Sequence, residues 1–170
     1  MHITHIECLM LDPSYVWLTQ NVGESKIMKK TMQILLVEDD PGDVILTKRL
    51  FDNIEAALQL NVVGDGVEAM AYLRCEPPYD EAPKPDLVLL DLNMPRKNGC
   101  EVLQEMRADD VLRPIPVVVL TTSDHDLDIT NAYRLGANSY ITKPSGLDAF
   151  ARAIESIEDF WLKTVKLPAK

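Results

Sequence analysis

Cysteine is scarce in this chain. The three present, Cys8, Cys75 and Cys100, are odd in number and no pair has metal-ligand spacing. A disulfide framework and a structural zinc site are therefore not expected, and a reducing, cytoplasmic compartment fits. Basic residues are in deficit, 17 against 27 acids, for a formal net charge of −10. That balance argues against a broad nucleic-acid footprint and against attraction to anionic lipid. No apolar run approaches the ~20 residues that a membrane helix needs. The start, Met1-His2-Ile3-Thr4-His5, lacks the basic-then-apolar order of a signal peptide. Internal repeats and low-complexity tracts are also missing. What the chain does have is 170 residues, 46% of them hydrophobic, enough for one domain with its own core and too apolar for disorder as the default.

Residues 1–31 hold three acids and three bases, so the whole acid excess falls in residues 32–170. The first 31 residues show no clean period and read as a mostly disordered extension, with a short helix near Tyr15 to Leu18 as one option. From Gln33 onward, short apolar runs alternate with helical spacings. Ile34 to Val37 reads as a strand buried on both faces, and Leu58 to Val63, Leu87 to Leu90, Pro116 to Leu120 and Ser139 to Thr142 read as four further strands. Between and after them lie five helical stretches: Asp40 onward with Leu46, Leu50 and Ile54; Gly66 to Arg74; Asn98 to Ala108; Asp124 to Leu135; and Gly146 to about Lys163. The prolines at 77, 78, 83 and 85 demand a long loop before the third strand. Five strands alternating with five helices imply a doubly wound α/β fold, with a parallel sheet covered on both sides. In the last helix, Leu147, Phe150, Ile154, Ile157 and Trp161 form a core stripe, which leaves Phe160 to point elsewhere, onto a partner surface or into solvent.

Ligands of such sheets bind beyond the carboxyl ends of the strands. Strand one ends in Glu38-Asp39-Asp40, strand three in Asp91, strand four in Thr121-Thr122-Ser123 and strand five in Lys143-Pro144. Carboxylates gathered there repel one another unless a cation or proton joins them. Oxygen ligands favour Mg²⁺, with Mn²⁺ as an alternative. A carboxylate is also a competent nucleophile toward phosphorus, with an ammonium and a hydroxyl available to bind the phosphoryl oxygens. Asp40 is either a further acid of this cluster or the cap of the first helix.

The runs Ile34-Leu35-Leu36-Val37-Glu38-Asp39-Asp40, Asp86-Leu87-Val88-Leu89-Leu90-Asp91-Leu92-Asn93-Met94-Pro95, Pro116-Val117-Val118-Val119-Leu120-Thr121 and Tyr140-Ile141-Thr142-Lys143-Pro144 resemble the receiver domain of two-component response regulators. The resemblance spans residues 32–165 and leaves 166–170 as a tail. The stretch Asp91 to Gly99 and the proline-containing loop resemble the single-domain regulators that accompany bacteriophytochrome kinases. The family implies a flavodoxin-like sheet of order 2-1-3-4-5. It implies that Asp91 accepts the phosphoryl group and that Glu38, Asp39, Asp91 and the Asn93 carbonyl bind Mg²⁺. It further implies that Thr121 and Lys143 bind the phosphoryl group, that Thr121 and Tyr140 switch on activation, and that a cis bond precedes Pro144. Tyr140 also reads as a half-buried edge-strand aromatic with no switching role. Thr122 is bulkier than the usual Ala or Gly at that position, which would narrow access to Asp91.

The implied partner is a sensor histidine kinase, with a phytochrome-type kinase as one candidate, or a histidine phosphotransfer protein. A homodimer through helix four, strand five and helix five is a further option. With about seven residues after Lys163, no output domain is expected, so the protein acts as a signalling protein rather than an enzyme. Three other readings compete. A haloacid-dehalogenase-type phosphatase wants a second Asp where Asn93 stands. A flavodoxin-like electron carrier wants a Ser/Thr/Gly-rich loop where Glu38-Asp39-Asp40 stands. A degenerate receiver serving as a scaffold would not need the intact acid set.

Overall fold

The structure, a computed structural model, describes residues 31–54 and 56–168. The extension expected at the amino end, including its optional helix near Tyr15, lies outside the described residues but for Thr31. The elements run β1 (Met32–Val37), α1 (Pro41–Asp52), β2 (Leu58–Val63), α2 (Gly66–Leu73), β3 (Leu87–Leu90), α3 (Gly99–Ala108), β4 (Val117–Thr121), α4 (Asp126–Arg134), β5 (Ser139–Thr142) and α5 (Leu147–Ile157). The five strands form one parallel sheet of order β2-β1-β3-β4-β5. This is the doubly wound arrangement expected from the alternation of strands and helices, in the flavodoxin-like order that the family resemblance implies.

The side-chain period of two divides each central strand between two cores. Leu35, Val37, Val88, Leu90, Val117 and Val119 face α2, α3 and α4. Ile34, Leu36, Leu87, Leu89, Val118 and Leu120 face α1 and α5. Both faces are dry, which is why these strands read as unbroken apolar runs rather than alternating ones.

Helix starts follow side-chain chemistry. Asp40 caps α1 by accepting from Asp43 N at 2.9 Å, with Pro41 in the first turn. Asp65 caps α2 through bonds from Val67 N and Glu68 N. Asn98 and Glu101 form a reciprocal capping box at α3. The loop between α2 and β3 is anchored by Tyr72, whose hydroxyl donates to the Pro83 carbonyl at 3.2 Å and whose ring meets Tyr79. Burial pushes the Tyr72 phenol up to about 12, so it stays a donor throughout the ordinary pH range. At the opposite end of the sheet from the acid cluster, the Arg107 guanidinium binds the carbonyls of Arg113, Ile115 and Gly136 and the Asn138 side chain. It thereby ties the end of α3 to the entries of β4 and β5.

Three expectations need correcting. The Lys143–Pro144 bond is not cis; the cis peptide among the described residues joins Pro77 and Pro78. Trans is the lower-energy form of an X–Pro bond by about 0.5–1 kcal/mol, and from it Lys143 reaches the acids of the sheet edge. The last helix is not uniform to Lys163: α5 ends at Ile157 and the chain continues to Thr164 as a wider π-type helix, closed by Val165 N bonding Phe160 O. Leu147 does not belong to the core stripe. It is the first residue of α5, next to Gly146, and is exposed, whereas Phe150, Ile154 and Ile157 are buried. Phe160 is exposed, as its place off the stripe requires. Among the described residues no helix is long and apolar enough to cross a membrane.

Gly99 sets how the end of β3 meets α3. Its N–H donates to Leu92 O at 3.0 Å, and a Cβ there would lie 2.9 Å from Leu92 Cα and inside the van der Waals shell of the Asp91 carbonyl. The clash is with backbone, which cannot swing aside as a flexible side chain can. A Gly99→Ala substitution is therefore expected to cost about 1–3 kcal/mol, the range of overpacked sites. Urea denaturation of the variant checks this.

Candidate functional site at the carboxyl edge of the sheet

The sheet order places β1 and β3 side by side, with β4 and β5 following on the β3 side. The carboxyl ends of β1, β3 and β5 consequently deliver Glu38, Asp91 and Lys143 to one place. Each is held through its own backbone: Glu38 N donates to Val63 O at 3.0 Å, Asp91 N to Val37 O at 3.0 Å and Lys143 N to Thr121 O at 2.7 Å. Glu38 and Asp91 are buried, while Asp39 is exposed at the rim.

The Lys143 ammonium is the centre of the cluster. It lies 2.5 Å from Glu38 Oε2, 2.7 Å from Asp43 Oδ2 and 3.4 Å from Asp91 Oδ2. Its side chain is only 5% exposed. Burial works against that positive charge, but the bonds to Asp43 and Glu38 and the charge of Asp91 outweigh it, so its pKa is raised. Glu38 experiences the opposite balance. Burial pushes its carboxyl up, and Lys143 and the Asp40 N–H only partly compensate. The remaining Asp91 oxygen, Oδ1, accepts from Asn93 N at 3.2 Å.

One carboxylate oxygen each from Glu38, Asp39 and Asp91 falls within 4.8 Å of the others. An all-oxygen donor set of this kind suits a hard divalent cation. Asp40 is not among these donors; its carboxylate serves the helix cap. Thr121 is fully buried at the end of β4, and its Oγ1 accepts from Ser123 N at 3.4 Å. Thr122 is exposed. Tyr140, half-buried on β5, packs against the α2–α3–α4 core and donates its hydroxyl to Ser123 O at 2.9 Å. Ser123 Oγ in turn donates to Asp128 at 2.6 Å on α4. The loop after β4 is thus bonded to both β5 and α4.

Three participants escaped sequence reasoning: Asp43, Ser123 and Asp128. Asp43 was legible only as part of a helix start, although its position in the first turn of α1 faces it back toward the strand ends. Ser123 and Asp128 carry no motif; only the fold brings them together. Cys75 and Cys100 are half-buried and free, as expected of packing residues.

Comparison with known proteins places the chain in a family. The response regulator receiver domain family matches residues 34–155, and the chain belongs to that family. It is 43% identical over 136 residues to the response regulator Rcp1 of Synechocystis sp., a match covering 80% of this chain and 92% of Rcp1. Among solved structures, the phosphorylated cyanobacterial phytochrome response regulator RcpA superposes with a TM-score of 0.79 at 46% identity, covering 82% of this chain and 99% of that one. The Mn²⁺-bound form of Rcp1 superposes with a TM-score of 0.78 at 43% identity, covering 81% of this chain and 99% of that one. The phosphatase and flavodoxin-like carrier readings are not favoured.

Removing the central cation should expose the repulsion that it masks. A Lys143→Met substitution leaves Glu38 and Asp91 buried without their partner, and a broken buried pair costs about 3–5 kcal/mol. The variant is expected to melt well below the parent protein in a metal-free buffer. Millimolar Mg²⁺ should recover part of the loss, as thermal denaturation with and without the cation will read.

Proposed function

We propose that this protein is a stand-alone response regulator that accepts a phosphoryl group on Asp91 from the phosphohistidine of a sensor kinase. The observation that carries the reading is the nearness of a buried carboxylate, Asp91, to a buried ammonium, Lys143, beside the acid pair Glu38 and Asp39. An Asp91 carboxylate oxygen attacks phosphorus, the histidine N–P bond breaks and its electron pair returns to the imidazole nitrogen. Lys143 binds one phosphoryl oxygen and Thr121 Oγ1 another, offsetting charge where it accumulates. Asn93 N, already bonded to Asp91 Oδ1, holds the carboxylate so that Oδ2 faces Lys143. Glu38, Asp39, Asp91 and the Asn93 carbonyl would hold Mg²⁺. When bound, that ion neutralises the carboxylates and the phosphoryl oxygens.

Modification adds about −1.5 to −2 charges to the cluster. Thr121 moving toward the new phosphoryl oxygen pulls on the loop after β4, the same loop that Tyr140 and Asp128 hold. Tyr140 and Thr121 are the switch pair in this reading, and the face of α4, β5 and α5 is what they alter. That face is where a partner or a second copy would read the signal. The likeness to RcpA and Rcp1 supports a phytochrome-type sensor kinase as the donor, in the cytoplasm. The protein then works as a signalling element, with self-catalysed phosphotransfer rather than turnover of an external substrate.

Labelling with radioactive acetyl phosphate and with purified sensor kinases in Mg²⁺ tests the reading. The parent protein is expected to incorporate an acid-stable, base-labile phosphate and Asp91→Asn to incorporate none. Equal labelling of both would overturn it.

A further inference from the structure

We infer that Asp43 competes with the phosphoryl group for the Lys143 ammonium and so sets how tightly the site takes up phosphate; this rests on Asp91 being the acceptor. Lys143 has three N–H donors, and three carboxylates surround it. The two short bonds go to Glu38 and Asp43, at 2.5 and 2.7 Å, and the longest, 3.4 Å, to Asp91. The lysine is therefore not waiting free beside the acceptor. It is engaged elsewhere and must loosen one of its shorter bonds to serve a phosphoryl oxygen on Asp91.

The three carboxylates are not equivalent. Glu38 is buried and belongs to the donor set that fits a divalent cation, together with Asp39 and Asp91. Asp43 is not in that set, and its side chain is one-third exposed. A cation at the acid edge would draw on Glu38 and leave Asp43 as the carboxylate whose hold on Lys143 opposes the phosphoryl group directly. Asp43 is also fixed from behind. It sits in the first turn of α1, where its own N–H is taken by the Asp40 cap and where an acid is favoured by the helix dipole. The helix therefore presents a rigid competing anion, one that water can solvate when the lysine leaves it. Asp43 acts as a positioning residue: it works through Lys143 and does not touch the transferred group.

The consequence has a sign opposite to that of a supporting contact. If Asp43 merely steadied Lys143, removing its charge would weaken phosphoryl binding. As a competitor, its removal strengthens binding. The test is calorimetric titration of the full chain with beryllofluoride, which occupies an aspartate as a phosphoryl group does, in saturating Mg²⁺, with Mg²⁺ affinity measured separately. Asp43→Asn is expected to bind beryllofluoride roughly three- to tenfold more tightly, the scale of one exposed-to-partly-buried charge interaction. Asp43→Glu, which keeps the anion, should stay close to the parent. Asp40→Asn, which removes a neighbouring charge that caps α1 and has no bond to Lys143, should change binding less than twofold. Unchanged or weaker binding by Asp43→Asn overturns the inference, as does an equal gain in Asp40→Asn, which would mean general repulsion. If the parent protein itself fails to bind beryllofluoride, the reading of Asp91 as acceptor falls first and this inference with it.

Discussion

One ammonium among three carboxylates organises this molecule. Lys143 touches Glu38 after β1, Asp43 in α1 and Asp91 after β3, and two of those acids are buried. Acids packed at such distances are tolerable only with a positive charge among them. The parallel sheet brings the first acid, the central acid and the lysine to one edge, with β1 and β3 side by side. The raised pKa of Lys143 and the raised pKa of Glu38 are two sides of this arrangement. The lysine is held charged by the acids around it, whereas for Glu38 burial outweighs the help of its partners.

A site poised this way has an internal conflict that suits a switch. Glu38, Asp43 and Asp91 already share the Lys143 ammonium, so a group that needs that ammonium must displace something. The hydrogen-bond chain on the neighbouring side, from Tyr140 to Ser123 O and from Ser123 Oγ to Asp128, ties the loop after β4 to β5 and α4. Thr121 sits between the two systems: its carbonyl accepts from Lys143 N and its hydroxyl from Ser123 N. A change at the acid edge is therefore mechanically adjacent to a change at the surface of α4 and β5, with no long relay required.

The fold was largely legible in the sequence because its three central strands, β1, β3 and β4, are buried on both faces, while the edge strands β2 and β5 are only partly buried. Runs such as Leu87 to Leu90 have nothing polar to blur them, and β2, β3 and β5 begin and end where the sequence placed them. The strand-end residues were legible for the related reason that an acid or lysine directly after such a run can only lie at the sheet edge. What escaped lies on helices and loops. Asp43 looked like a helix-start acid because its local role and its tertiary role coincide. Leu147 matched the α5 spacing, but it lies in the first turn of the helix and is exposed, which spacing alone does not reveal. The isomer of the Lys143–Pro144 bond and the widening of the helix after Ile157 depend on packing that no local pattern encodes.

The partners of Lys143 are far from it along the chain: 105 residues to Glu38, 100 to Asp43 and 52 to Asp91. The strand that carries the lysine is the last of the five and forms one edge of the sheet. Closing contacts over such separations is entropically expensive and comes late unless something compensates. A chain that has assembled β1, β2 and β3 without β5 holds the acids but not the ammonium, and is a poor home for a further negative group. The acid edge is thus complete only when the last strand is in place, because without it the acids have no ammonium among them.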